Sequence, residues 1–88
     1  MRHYKAMLRD FLSTYAEELR EDRNFSQEEM AEKLRITPRA YSNLKRGKFC
    51  FSILPLVSLL FLLNNNELSE FRDNLQEKLS AWEAAHES

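Results

Sequence analysis

The sequence predicts an all-α fold of five helices with a longer helix at the C-terminal end. Apolar residues recur at three- and four-residue steps at both ends of the chain, cap residues stand where the shorter central helices begin, and the single glycine falls where one should stop. With 88 residues and 43% hydrophobic content, the chain can build one small core and has no room for an appended catalytic module.

The first helix is expected from about Tyr4 to Glu21, because Leu8, Phe11, Leu12, Tyr15 and Leu19 share one face. Asp22-Arg23-Asn24 then makes a turn. Ser26, with Glu29 three residues on, forms a capping-box signature in front of Met30, Ala31 and Leu34, so a second helix runs from Gln27 to about Leu34. A third start follows at once. Thr37 can cap and Pro38 occupies the first helical position, where a missing N–H costs nothing. Tyr41 and Leu44 supply its inward face, it ends near Arg46, and Gly47 suits a left-handed C-cap. Two short helices joined by about three residues constitute a helix-turn-helix.

Residues 49–63, FCFSILPLVSLLFLL, carry no charge. A membrane-spanning helix needs roughly 20 apolar residues, and Ser52, Pro55 and Ser58 interrupt this shorter run, so it is expected to be a buried helix capped by Ser52. Ile53, Leu56, Val57, Leu60 and Leu63 form the expected inward stripe, which leaves Leu54, Leu59, Phe61 and Leu62 to be covered by the last helix or by a second subunit. Asn66 is expected to cap the final helix, Glu67 to about His86, in which Leu68, Phe71, Leu75, Leu79 and Trp82 repeat at threes and fours. Residues 1–66 thus make a four-helix domain and residues 67–88 an amphipathic helix that packs on it, dimerises, or does both. The expected homodimer interface comprises Leu54, Phe61, Leu62, Phe71, Leu75, Leu79 and Trp82, with Trp82 as an anchor.

Ser26, Gln27, Glu28, Glu29, Ala31, Lys33, Leu34, Ile36, Thr37 and Gly47 fall in register with the Cro and phage-repressor-like (XRE-type) helix-turn-helix family, which the chain resembles from the first helix to about Leu63. The resemblance implies a compact repressor-like domain that binds double-stranded DNA and places the helix 38–46 in the major groove. It also implies that Gln27 meets a phosphate. Three positions depart from the family pattern. Arg35 stands where glycine is common and positive φ often needed, so either it takes that conformation at a cost or the turn is built differently; Lys45 stands where an acid usually pairs with the base near Arg20, and Phe49-Cys50-Phe51 replaces a polar linker. Arg20 is therefore expected to turn to Glu17, to Glu21 or to a phosphate.

Charge supports the same face. The formal net charge of −1 divides into −3 over residues 1–32, +6 over residues 33–48, none over 49–63 and −4 over 64–88. Positive charge concentrated in the turn, the third helix and its exit is the footprint expected where phosphates approach. Arg39, Ser42 and Asn43 can hydrogen-bond base edges, and Pro38 can offer van der Waals contact to a thymine methyl. Arg35, Thr37, Lys45, Arg46 and Lys48 join Gln27 as phosphate contacts.

The function expected is a sequence-specific transcriptional regulator, cytoplasmic and without a cofactor. The alternative is a repressor-fold protein-interaction module, such as an antirepressor, an antitoxin or a partner subunit, that meets its protein partner through the apolar helix 53–63. No Ser-His-Asp or Cys-His arrangement, glycine-rich phosphate loop or metal-ligand spacing points to an enzyme. The lone Cys50 has no partner for an intramolecular disulfide, the first residues lack the apolar core of a signal peptide, and His3 and His86 stand singly near the ends.

Overall fold

The computed structural model describes residues 4–86. Five helices follow in order: α1 (Lys5–Asp22), α2 (Gln27–Lys33), α3 (Pro38–Lys45), α4 (Ile53–Phe61) and α5 (Asn65–Ala85). Among the described residues there is no strand. His3, expected to stand alone near the N-terminus, lies outside them.

The first three helices end in the same way. In each, the residue after the C-cap takes positive φ: Asn24 at 56°, Arg35 at 62° and Gly47 at 74°. Behind α1 the N–H groups of Asn24 and Phe25 donate to Glu21 and Arg20. Behind α2 those of Arg35 and Ile36 donate to Glu32 and Ala31, and behind α3 those of Gly47 and Lys48 donate to Leu44 and Asn43. These are Schellman motifs, which satisfy carbonyls that a helix end would otherwise leave open. Of the two alternatives at Arg35, the left-handed conformation is the one present, on a residue that has a Cβ.

The helix starts are equally local. Ser26 and Glu29 close a reciprocal capping box on α2, and the Thr37 hydroxyl accepts from the Ala40 N–H at the start of α3. Helix α5 begins two residues earlier than expected, because Asn64 rather than Asn66 is the cap and forms the box with Glu67. Ser52 is the N-cap residue of α4, but its side chain makes no capping hydrogen bond.

Ala16 and Leu19 of α1, Met30 and Ala31 of α2 with Leu34 just after it, Tyr41 of α3, Leu59 of α4 with Leu63, and Phe71 of α5 form one buried cluster. Helix α5 runs antiparallel along α1. At one end Arg23 donates to Glu67 at 2.6 Å, in the middle Phe71 packs on Phe11 and Tyr15, and at the other end Trp82 lies 4.7 Å from the Tyr4 ring. The Tyr4 hydroxyl donates to Glu83 at 2.8 Å.

Helix α4 faces the core with a different side from the one expected. Pro55, Ser58 and Leu59 are buried, whereas Ile53 is 82% exposed and Val57 is exposed as well. A helix that is apolar on every side carries no periodicity from which a face can be chosen, so packing decides. The buried Ser58 is satisfied because the Arg35 guanidinium donates to its hydroxyl at 2.8 Å. Its burial turns Ile53, Leu54, Val57 and Phe61 outward together.

Candidate nucleic-acid interface

The α2–turn–α3 unit sits on α1 through two polar ties. The buried Ser13 hydroxyl donates to the Leu44 carbonyl at 2.7 Å, anchoring the end of α3. One turn further along α1, Glu17 accepts from Arg20 at 2.6 Å and from the Tyr41 hydroxyl at 2.5 Å, with Lys45 Nζ at 3.8 Å. Arg20 also donates to the Phe25 carbonyl at 2.9 Å. The family's usual pair between the base near Arg20 and an acid on α3 is absent, as expected; Arg20 pairs with Glu17 of its own helix, and Lys45 of α3 approaches the same carboxylate.

That arrangement perturbs its members. Hydrogen bonding from Arg20, then from Tyr41, and the charges of Arg20 and Lys45 hold the Glu17 carboxyl below the ordinary glutamate range against the opposing effect of burial. Burial first, then hydrogen bonding to the Glu17 carboxylate, pushes the Tyr41 phenol up. Glu17 is thus ionised at neutral pH and Tyr41 is a neutral donor. Tyr41 is 1% exposed, so it belongs to the core, as expected.

With Tyr41 and Leu44 turned inward, a rotation of 100° per residue puts Arg39, Ser42 and Asn43 on the opposite side of α3, with Pro38 on its flank about 60° from Tyr41. Pro38 and Arg39 are exposed, and Ser42 and Asn43 are half-buried. Arg46 shares that side, and Lys48 is exposed just beyond the Gly47 cap. Gln27 is the first residue of α2, half-buried beside the Ser26 cap. Thr37 uses its oxygen as an acceptor for the cap, which leaves its O–H free to donate outward.

Arg35 is placed otherwise than expected. Instead of standing free for a phosphate, its guanidinium reaches α4, where it donates to Ser58 and lies 6.0 Å from the Phe61 ring centroid. Of the three partners expected for Arg20 the structure shows Glu17; sequence reasoning missed the Arg35 tie and the hub formed by the addition of Tyr41 and Lys45 to that carboxylate. The hub had a legible signal, since Glu17, Arg20 and Tyr41 were each on an expected helix, whereas the Arg35 tie depends on which face α4 buries.

Of the expected dimer residues, Phe71 is 7% exposed and occupied by Phe11 and Tyr15, so it is unavailable to a second subunit. Leu62 and Leu75 pack against the same core, Leu79 is half-buried, and Trp82 meets Tyr4 at a tilt and stacks on His86. Leu54 and Phe61 are 54% and 72% exposed. With Ile53 and Val57 they form an exposed apolar stripe on α4. Among the described residues no helix is long and apolar enough to cross a membrane, and no group of His, Cys, Asp and Glu could hold a metal ion.

A family model described as a helix-turn-helix domain matches residues 17–80. Comparison with curated proteins and with solved structures gave no match. The matched span begins at Glu17, at the hub that seats α3, contains α2, α3 and α4, and extends into the part of α5 that covers α1. From its capped helix pair, its seating on α1 and this match over most of its length, the chain belongs to the helix-turn-helix domain family found in XRE-type repressors.

Proposed function

We propose that the protein is a sequence-specific double-stranded DNA-binding transcriptional regulator that lays α3 in the major groove. The observation that carries this is the outward face of α3: Arg39, Ser42 and Asn43 stand together opposite the buried Tyr41 and Leu44, within the one strongly basic segment of the chain. Arg39 is assigned to a guanine edge, Asn43 to an adenine edge and Ser42 to either, with Pro38 against a thymine methyl. Gln27, Thr37, Arg46 and Lys48 are assigned to phosphates, which orient the domain without reading sequence. Lys45 joins them with its charge shared with Glu17, and Arg35 contributes by bracing the turn against α4.

Two such domains paired across a two-fold axis would place their reading helices in successive major grooves. The exposed α4 stripe suits a second copy, because residues 49–63 hold no charge that self-association would bring together. The same stripe also favours the second reading, a protein-interaction module with weak or no DNA binding. Salt separates the two. A complex that neutralises phosphates weakens steeply as salt rises, whereas apolar docking responds little. Within the first reading, Arg39→Ala should cost about 1 to 3 kcal/mol on the preferred sequence and relax choice at one base pair. Lys48→Ala should weaken all sequences alike and make the salt dependence shallower. Equal losses from both variants on every sequence would remove the assignment of roles.

A further inference from the structure

Helices α1 and α5 leave between them an open groove of about 870 Å³ that the helix-turn-helix does not use. Its floor is apolar, formed by Met7, Phe11 and Tyr15 of α1, with Ala81 at one end. Its rims are acidic. Glu18 and Asp22 stand on the α1 side and Glu70 and Glu77 on the α5 side, with Lys78 the one base lining it. None of these four acids makes a salt bridge within the described part of the chain, unlike Glu17 and Glu67 nearby. The groove extends from Glu67 to Ala81 on α5, which at 1.5 Å per residue is roughly 21 Å, or about four helical turns.

We propose that this groove binds a basic amphipathic helix from a partner protein, with the partner's apolar stripe on the Phe11–Tyr15 floor and its lysines or arginines along both acidic rims. Charge complementarity selects the sign of the partner, since a neutral or acidic helix would leave two rows of carboxylates facing apolar or like-charged groups. The all-helical walls select its form. They offer no open strand edge to an extended peptide, whereas a helix satisfies its own backbone and lays one face into the cleft. The Tyr15 phenol reports the field in the cleft: burial raises its pKa, and the charges of Glu67 and Glu70 raise it further.

The groove lies away from α3. Ser13 and Glu17 point from α1 to α3, and Glu18 and Asp22 are rotated from Glu17 by about 100° and 140° around the same helix. A partner in the groove therefore leaves the α3 face open, and the domain can hold DNA and the partner together.

The test uses the whole chain and a capped 18-residue peptide of leucine at helical three- and four-residue spacing with lysine elsewhere. Affinity is measured by calorimetry and the site by amide shift mapping. Binding should shift residues of α1 and α5 along the groove, and a peptide with glutamate for lysine should not bind. The double variant Glu18→Gln/Glu70→Gln should weaken binding about tenfold. Glu28→Gln/Glu32→Gln, which removes the same charge from the exposed side of α2, should change it less than about twofold. Equal losses from the two doubles, shifts centred on the α4 stripe, or no binding by the lysine peptide would each overturn the proposal. The measurement contains no DNA, so its outcome is separable from that of the DNA-binding reading.

Discussion

Arg35 offers a measurement in which backbone strain and side-chain contact can be separated. Its φ of 62° places an L side chain in the left-handed region, at a cost of about 1 kcal/mol relative to glycine. Against that cost stand the 2.8 Å hydrogen bond to the buried Ser58 hydroxyl, worth about 1 kcal/mol, and the contact with the exposed Phe61 ring, worth about 0.5 kcal/mol. Arg35→Ala removes both contacts and keeps the strain, so it should destabilise by about 1.5 kcal/mol. Arg35→Gly removes the same contacts and releases the strain, so its net loss should be about 0.5 kcal/mol. The gap of about 1 kcal/mol between the two variants isolates the backbone, because neither has the side chain. Urea unfolding followed by circular dichroism, fitted with a common slope, reads it directly. In a chain this size the gap corresponds to about 4 to 8 °C in Tm. Equal stabilities of the alanine and glycine variants would refute positive φ at this turn. A glycine variant more stable than the parent by the full strain energy would show that the Ser58 and Phe61 contacts contribute nothing.

Other elements give independent expectations. Phe71→Ala should destabilise by about 3 to 5 kcal/mol in urea unfolding and should loosen α5 from α1, visible as faster amide exchange at the Trp82 end. Ser13→Ala, which removes the buried donor to the Leu44 carbonyl, should lose about 1 kcal/mol while that carbonyl keeps its bond from the Gly47 N–H. Glu17 has a folded pKa below the ordinary value of 4.5, so its stabilisation is present in full above that value and is lost as pH falls through the lower, folded value. Glu17→Gln should therefore make the acid limb of the stability profile shallower. It should not flatten it, because Glu29 and Glu67 are depressed as well, the first by hydrogen bonding at Ser26 and the second by Arg23.

The parts of this fold that are legible in sequence are those whose causes are local. Ser26 with Glu29, Thr37 with Pro38, and Gly47 each act within one helical turn, so α2 and α3 could be placed from residue type and spacing alone. The same logic would have placed the start of α5. Among three consecutive asparagines only Asn64 has a glutamate three residues later, and that reciprocal pair decides which one caps. The face of α4 was not legible. Its apolar residues surround the axis, and the buried side was selected by Ser58 meeting the arginine that projects from a left-handed turn 23 residues earlier. The Glu17 hub shows the intermediate case. Lys45 in place of an acid pointed to loss of the family's contact, and that pair is absent; what spacing did not show is that Glu17, four residues after Ser13 on the face of α1 that meets α3, also meets Tyr41 and Lys45.

Selection from a random duplex pool tests most directly whether α3 is the reading element. The folded protein is equilibrated with the pool at low salt, retained duplexes are sequenced over several rounds, and its mass is measured by sedimentation alongside. The expected result is an enriched inverted repeat with half-sites about one helical turn apart, bound by a dimer. The Arg39→Ala protein should lose preference at one position in each half. A folded protein that enriches no sequence at low salt would contradict the DNA-reading role of α3 and leave the apolar stripe of α4 as the surface through which the domain acts.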